Sequence, residues 1–190
     1  MGKIVITTNM SLDGVVQDPD GQEGFRLGGW FGESGGADLA DWSRLETDEA
    51  LRSAAILVGR RSDAWFATRW NDRTGEWADQ LNRLPKHVVS TTLAAPKWNN
   101  ATVVSGDVLA QIAKLKAETD GDILVYASYQ LARTLIEHDL ADEIRLVVFP
   151  VILGDGDRLF GATSDKKALR LISTRPLGEG LSFLTYEFVR

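Results

Sequence analysis

The stretch LVYASYQLARTL, Leu124 to Leu135, begins as a strand and ends as a helix. Its apolar start belongs to a strand over Ile123 to Tyr126, and a helix over Ser128 to His138 follows. Only the small-residue turn Ala127-Ser128 separates them. Free N–H groups at a helix start are where proteins hold phosphates. The glycines that usually mark such a turn are missing here. The turn either binds a ligand or only joins two elements, and both readings stay open.

The same alternation runs in both directions. Lys3 to Thr8 is a buried first strand, rich in isoleucine and valine. Ala37 to Leu51 is a helix with Leu39, Trp42 and Leu45 roughly on one face. Ala54 to Val58 is a short strand ended by Gly59, and a helix starts near Ser62 as its N-cap. A short helix over Glu76 to Leu84 precedes strands at Lys86 to Ser90 and Ala101 to Ser105. Asp107 caps a helix that stops near Gly121. Glu143 to Val151 is a strand, and Leu169 to Arg175 pairs with Leu181 to Val189 as a terminal hairpin. This order predicts a three-layer α/β fold. Its sheet is mixed and mostly parallel, flanked by helices, with an antiparallel C-terminal edge. No repeat or linker divides the chain, so residues 1–190 are expected to form one domain.

One segment breaks the rhythm. Gln17 to Gly36 contains Gly21, Gly24, Gly28, Gly29, Gly32, Gly35 and Gly36, with Phe25, Trp30 and Phe31 among them. So much glycine is expected to exclude a regular element, yet the aromatics need cover. The segment is either a surface loop folded over the core edge or a lid and pocket wall.

Composition removes several function classes. Apolar residues make up 44% and charged residues 25%, as in ordinary globular proteins. Without cysteine there are no disulfides or thiolate metal sites, and His87 and His138 alone do not suggest a histidine-rich one. A net charge of -6 argues against nucleic acid or a membrane surface as partner. No apolar run reaches the roughly 20 residues of a membrane span. The start MGKIVITTNMSLDG lacks the pattern of a signal peptide, so a cytoplasmic location is expected. The Rossmann, P-loop, nucleophile-elbow and zinc-deaminase signatures are all absent. A chain with so little acid, base or nucleophile machinery suggests borrowed cofactor chemistry.

Open α/β sheets bind ligands beyond the carboxyl ends of their strands. Three such ends suit a phosphate or ribose. Gly59-Arg60-Arg61 offers close backbone approach and two guanidinium forks. Ser90 and Thr91 offer hydroxyls, and Ala127 to Gln130 offers N–H groups at a helix start. Each also has a plain reading as an exposed cap or turn. Their occurrence together is what points to a ligand.

At this point the chain resembles the dihydrofolate reductase-like superfamily. In particular it resembles stand-alone proteins similar to the C-terminal reductase domain of riboflavin-biosynthesis deaminase–reductases. The matching pieces are TTNMSLDGVVQDPDG, ILVGRRSDAWF, KHVVSTTLAAPKWNN and GDILVYASYQLARTLIEHDLADEIRLVVFPVILGDGDRLF. The resemblance implies a homodimer and an NADPH cofactor. Gly59, Arg60 and Arg61 would hold its 2′-phosphate side, with Ser90 and Thr91 near the adenosine. Ala127, Ser128, Tyr129, Gln130 and Leu131 would face the pyrophosphate. Ala127 departs from the resembled pattern, where glycine is more usual.

The resemblance also places Ser11 to Gly14 beside the nicotinamide. Leu12 and Asp13 would then touch the substrate, with Asp13 the first candidate catalytic carboxylate. The other reading of Asp13-Gly14 is a tight turn. Pro150 and Gly154 would line the opposite wall. The implied activity is hydride transfer from NADPH to a pyrimidine- or pterin-like heterocycle. The riboflavin-type substrate, a phosphorylated aminopyrimidine, would want a second basic cluster, and Arg26, Arg44 and Arg158 are scattered. A dihydrofolate reductase would need a carboxylate facing the pterin, and no motif places one. From another class, the chain reads as a nucleotide- or small-ligand-binding protein that kept the fold.

Overall fold

Ile4, Val5 and Ile6 lie in succession along β1 (Lys3–Ser11) and are all shut off from solvent. A strand buries consecutive residues only when both faces are covered. The computed structural model, which describes residues 1–189, shows how this is done. β1 is inside an eight-stranded sheet with β2 (Ser53–Gly59), β3 (Lys86–Val89), β4 (Ala101–Val104), β5 (Asp122–Tyr126), β6 (Glu143–Phe149), β7 (Leu169–Leu177) and β8 (Leu181–Phe188). Their order across the sheet is β4-β3-β2-β5-β1-β6-β8-β7. Pairings from β4 through to β6 are parallel, while β6–β8 and β8–β7 are antiparallel. The mixed, mostly parallel sheet with an antiparallel C-terminal edge is therefore as expected. β6 stops one residue before Pro150, which has no N–H for the ladder.

The pleat sorts side chains to two sides. Ile4, Ile6, Leu57, Ile123, Val125 and Ile144 face α5 (Val108–Glu118) and α6 (Tyr129–Glu137). Val5, Ile56, Val58, Val88, Leu124 and Tyr126 face α2 (Leu39–Arg52), α3 (Arg60–Trp70) and α4 (Glu76–Arg83). A third cluster joins Val147 and Phe149 to Trp30 of α1 (Trp30–Gly35).

Helix α1 corrects the expectation of no regular element between Gln17 and Gly36. Trp30 is buried, its ring lies edge-on to Phe149 at 5.4 Å, and its indole donates to the Gln17 carbonyl at 3.0 Å. This anchorage outweighs the low helix propensity of Gly32 and Gly35. A second correction concerns Ser62. Helix α3 begins at Arg60 with Gly59 at its N-cap, so Ser62 lies inside the first turn. Asp107 does cap α5, accepting from the Ala110 N–H at 3.1 Å.

Candidate functional site

Because β1, β2, β3, β5 and β6 run parallel, their carboxyl ends meet on one side of the molecule. A cavity of about 720 Å³ lies there, within the range of small-molecule and cofactor sites. All three strand ends read from the sequence line it. Gly59, Arg60, Arg61, Ser90, Thr91, Ala127, Ser128, Tyr129, Gln130 and Leu131 are brought together around one space.

The first and third ends are stitched to each other. Ser128 Oγ accepts from the Gly59 N–H at 2.9 Å and donates to Ser62 Oγ at 2.8 Å. Ser128 therefore fixes the α6 turn to the α3 turn instead of capping its own helix. Arg60 reaches across to Thr92 Oγ1 at 3.3 Å, toward the second end. Arg61 pairs with Glu23 at 3.2 Å. Ala127 takes a φ of +55°, the left-handed region that favours glycine. The turn keeps a glycine-like path without the glycine.

Farther in, the cavity is lined by Phe31, Trp42, Phe66, Trp70 and Trp77. Of the loop aromatics, Phe31 alone lines it. Trp30 is packed beneath, and Phe25 sits against Gly156. Glu46 of α2 also lines this end and is only 5% exposed. Among the described residues its carboxyl has no hydrogen-bond or ion-pair partner. Burial, and then the neighbouring Glu49, push Glu46 well above the usual carboxylate range, while Arg145 opposes. Two further polar atoms there are buried and unpartnered, Trp77 Nε1 and the Tyr126 hydroxyl. Burial, then Glu46 and Glu49, raise the Tyr126 hydroxyl well above its ordinary value. Such orphaned groups are rare in folded proteins, and their clustering singles out this end of the cavity.

Glu49 lies behind Glu46, toward the far end of α2. Its carboxylate accepts from Thr7 Oγ1 at 3.0 Å and from Arg145 at 3.3 Å. Arg145 also pairs with Asp122 at 3.1 Å and with Glu143. One guanidinium thus answers three carboxylates beneath the helix.

Leu12, Asp13, Pro150 and Gly154 do not line the cavity. Asp13 sits in the turn after β1, where its carboxylate accepts from Ser11 Oγ at 2.7 Å, Leu153 N–H at 3.1 Å and Gly154 N–H at 2.9 Å. Burial works against the charge, but these hydrogen bonds outweigh it and bring Asp13 down to about 2. A carboxylate so fully occupied clamps two loops and has little left for a substrate. Arg26, Arg44 and Arg158 are also elsewhere, paired with Asp155, Asp41 and Asp13.

The model of the RibD C-terminal domain family matches residues 2–183. This chain belongs to that family. A relative of this RibD C-terminal domain is the Bacillus subtilis (strain 168) protein YyaP, 26% identical over 98% of the chain and 95% of YyaP. Among solved structures, a candidate riboflavin biosynthesis protein from Shewanella sp. PV-4 superposes with a TM-score of 0.78 at 21% identity, covering 99% of both chains. Enterococcus faecalis dihydrofolate reductase, complexed with NADP(H), gives a TM-score of 0.64 at 12% identity over 99% of this chain and 97% of its own. The fold is dihydrofolate reductase-like.

Glu46, Tyr126 and Trp77 of this RibD C-terminal domain were missed by motif. A usable signal was present. Trp42, Leu45, Glu46 and Glu49 recur at i, i+3, i+4 and i+7, which places both glutamates on the buried face of their helix.

Proposed function

We propose that this RibD C-terminal domain is an NADPH-dependent reductase of a flat pyrimidine- or pterin-like heterocycle. Its family is one of NADPH-dependent reductases. The observation that carries the reading is a single cavity joining Gly59-Arg60-Arg61, Ser90-Thr91 and the Ala127 turn to a buried, unpartnered Glu46.

The residues fit the cofactor. Arg60 and Arg61 are cations at a helix start, and Gly59 leaves open backbone beside them, with only Ser128 Oγ within 4 Å of an added Cβ. The first N–H groups of α6 line the same wall. When bound, NADPH supplies the hydride. The protein's own work is to stack a planar ring among Phe31, Trp42 and Trp77, exclude water, and offer hydrogen bonds. Glu46, whose charged form burial disfavours, is the group that donates a hydrogen bond or proton to a ring nitrogen or oxygen. Tyr126 and Trp77 are further donors at the same end. Glu46 also answers the demand of a folate-type reductase for a carboxyl facing the ring. A homodimer belongs to this proposal: Leu169, Leu171 and Ile172 leave an apolar, exposed face on edge strand β7 for a second copy.

The test is titration with NADPH and NADH, followed by quenching of the six tryptophans, then NADPH oxidation against pterins and aminopyrimidines. Preference for NADPH with turnover of one compound supports the reading. Tight binding without turnover across the panel would leave a ligand-binding protein. Binding of neither nucleotide would end the reductase reading.

A further inference from the structure

From the way charge is sorted along the cavity we infer, resting on the reductase reading above, that its substrate carries no phosphate. Among the described residues, Arg60 and Arg61 are the only cations lining the cavity. Both sit at the carboxyl end of β2, turned to Thr92 and Glu23, on the side assigned to the cofactor. The substrate end is lined by aromatic rings, Thr7, Thr8, Asn9 and Glu46. Glu49 stands behind Glu46, outside this cavity, with its carboxylate held by Thr7 and Arg145.

The cation beneath them is Arg145. It is already committed to Glu49, Asp122 and Glu143 and lines a separate cavity of about 220 Å³. Lys86 is buried too, but its ammonium donates to the Asn82 and Leu84 carbonyls and lies over Trp98, lining neither cavity. A phosphate brought to this end would find no counter-charge among the described residues, in a medium that makes an unpaired charge costly. The π faces of Trp42 and Trp77 favour neutral or cationic rings. The unpartnered Trp77 N–H and Tyr126 hydroxyl are neutral hydrogen-bonding groups, suited to ring carbonyls and nitrogens. The site therefore accepts the free heterocycle or an uncharged derivative. The phosphorylated aminopyrimidine that family resemblance suggests is excluded. The reaction that supplies its substrate must deliver it already free of phosphate.

The experiment uses the whole protein saturated with NADP⁺, so that Arg60 and Arg61 are occupied. Two matched pairs are titrated by calorimetry: 6-hydroxymethylpterin against its phosphate, and 5-aminouridine against its 5′-monophosphate. The expected result is that in at least one pair the unphosphorylated member binds tenfold or more tightly, and that the ratio shrinks as salt is raised. Glu46→Gln, a neutral near-isostere of the protonated acid, should leave the ratio unchanged. Equal or tighter binding of the phosphates would overturn the inference and leave the reductase reading standing. Failure of both members of both pairs, with NADP⁺ bound, would overturn it as well. Failure of NADP⁺ itself to bind would bring down the reductase reading and this inference together.

Discussion

Replacing Ala127 by glycine should stabilise the protein, although most substitutions in a folded chain do the opposite. Ala127 sits at a φ of +55° and is exposed, so its methyl group gains little by contact. An L-residue in the left-handed region costs roughly 1–2 kcal/mol. Glycine relieves that cost but gives the unfolded chain more freedom, worth about 0.5–1 kcal/mol. The balance is a gain of about 0.5–1 kcal/mol. In a domain of this size each kcal/mol moves the melting temperature by about 2–4 °C, so a rise of about 1–4 °C is expected. Thermal melts with parallel urea titrations will read it, and the urea slope should not change. Ala127→Val provides the control, since a β-branched residue at positive φ should cost more than alanine does. A glycine variant less stable than the parent, or a valine variant as stable as it, would refute the claim that this turn is held in a left-handed path.

Four further outcomes are expected. Arg60→Ala or Arg61→Ala should weaken NADPH binding by about 1.5–3 kcal/mol, the worth of a charge-assisted contact, with far less effect on NADH; equal losses would sink the 2′-phosphate assignment. Asp13, lowered from 3.8 to about 2, contributes stability that is present above pH 4 and lost as pH falls through 2. Asp13→Asn should therefore cost about 1–2 kcal/mol at neutral pH, allowing for partial screening, and the deficit should close in acid unfolding below pH 4. Glu46 titrates the other way: its folded pKa lies above 4.5, so the native state holds the extra proton and loses stability as pH rises from there. Glu46→Gln should abolish reduction yet gain on the parent as melts move from pH 5 to pH 8; a constant difference would show that the carboxyl is not protonated. Leu171→Asp, on the exposed strand β7, should convert a dimer to a monomer in sedimentation if that face joins two copies.

The sheet was legible because its strands are short apolar runs with clear stops, and parallel strands with helices between them admit few arrangements. The three strand ends that line the cavity were legible for a related reason. They sit immediately after strands, so chain order alone places Gly59, Ser90 and Ala127 on one side. Glu46 was not legible in this way. Its role depends on which face of α2 meets the sheet, and on Tyr126 and Trp77 arriving from distant elements. Asp13 misled for the opposite reason. A carboxylate before glycine can face a ligand or clamp a turn, and the deciding partners, Leu153 and Gly154, are about 140 residues away. The helix at Trp30 was hidden because local glycine content and tertiary anchorage disagree, and the anchorage is not written locally.

The place of β1 has a consequence for how the protein is made. Lys3 lies opposite Asp122, and Val5 opposite Glu143. β1 therefore has no neighbour on either side until the chain through β5 and β6 has been synthesised. At about 5–20 residues per second, that wait is on the order of ten seconds. Throughout it, Ile4, Val5 and Ile6 present an unpaired, sticky edge to their surroundings or to a chaperone. Ribosome-stalled chains ending before Glu143 should thus be substrates for holding and quality control, whereas chains that include β6 can close their centre.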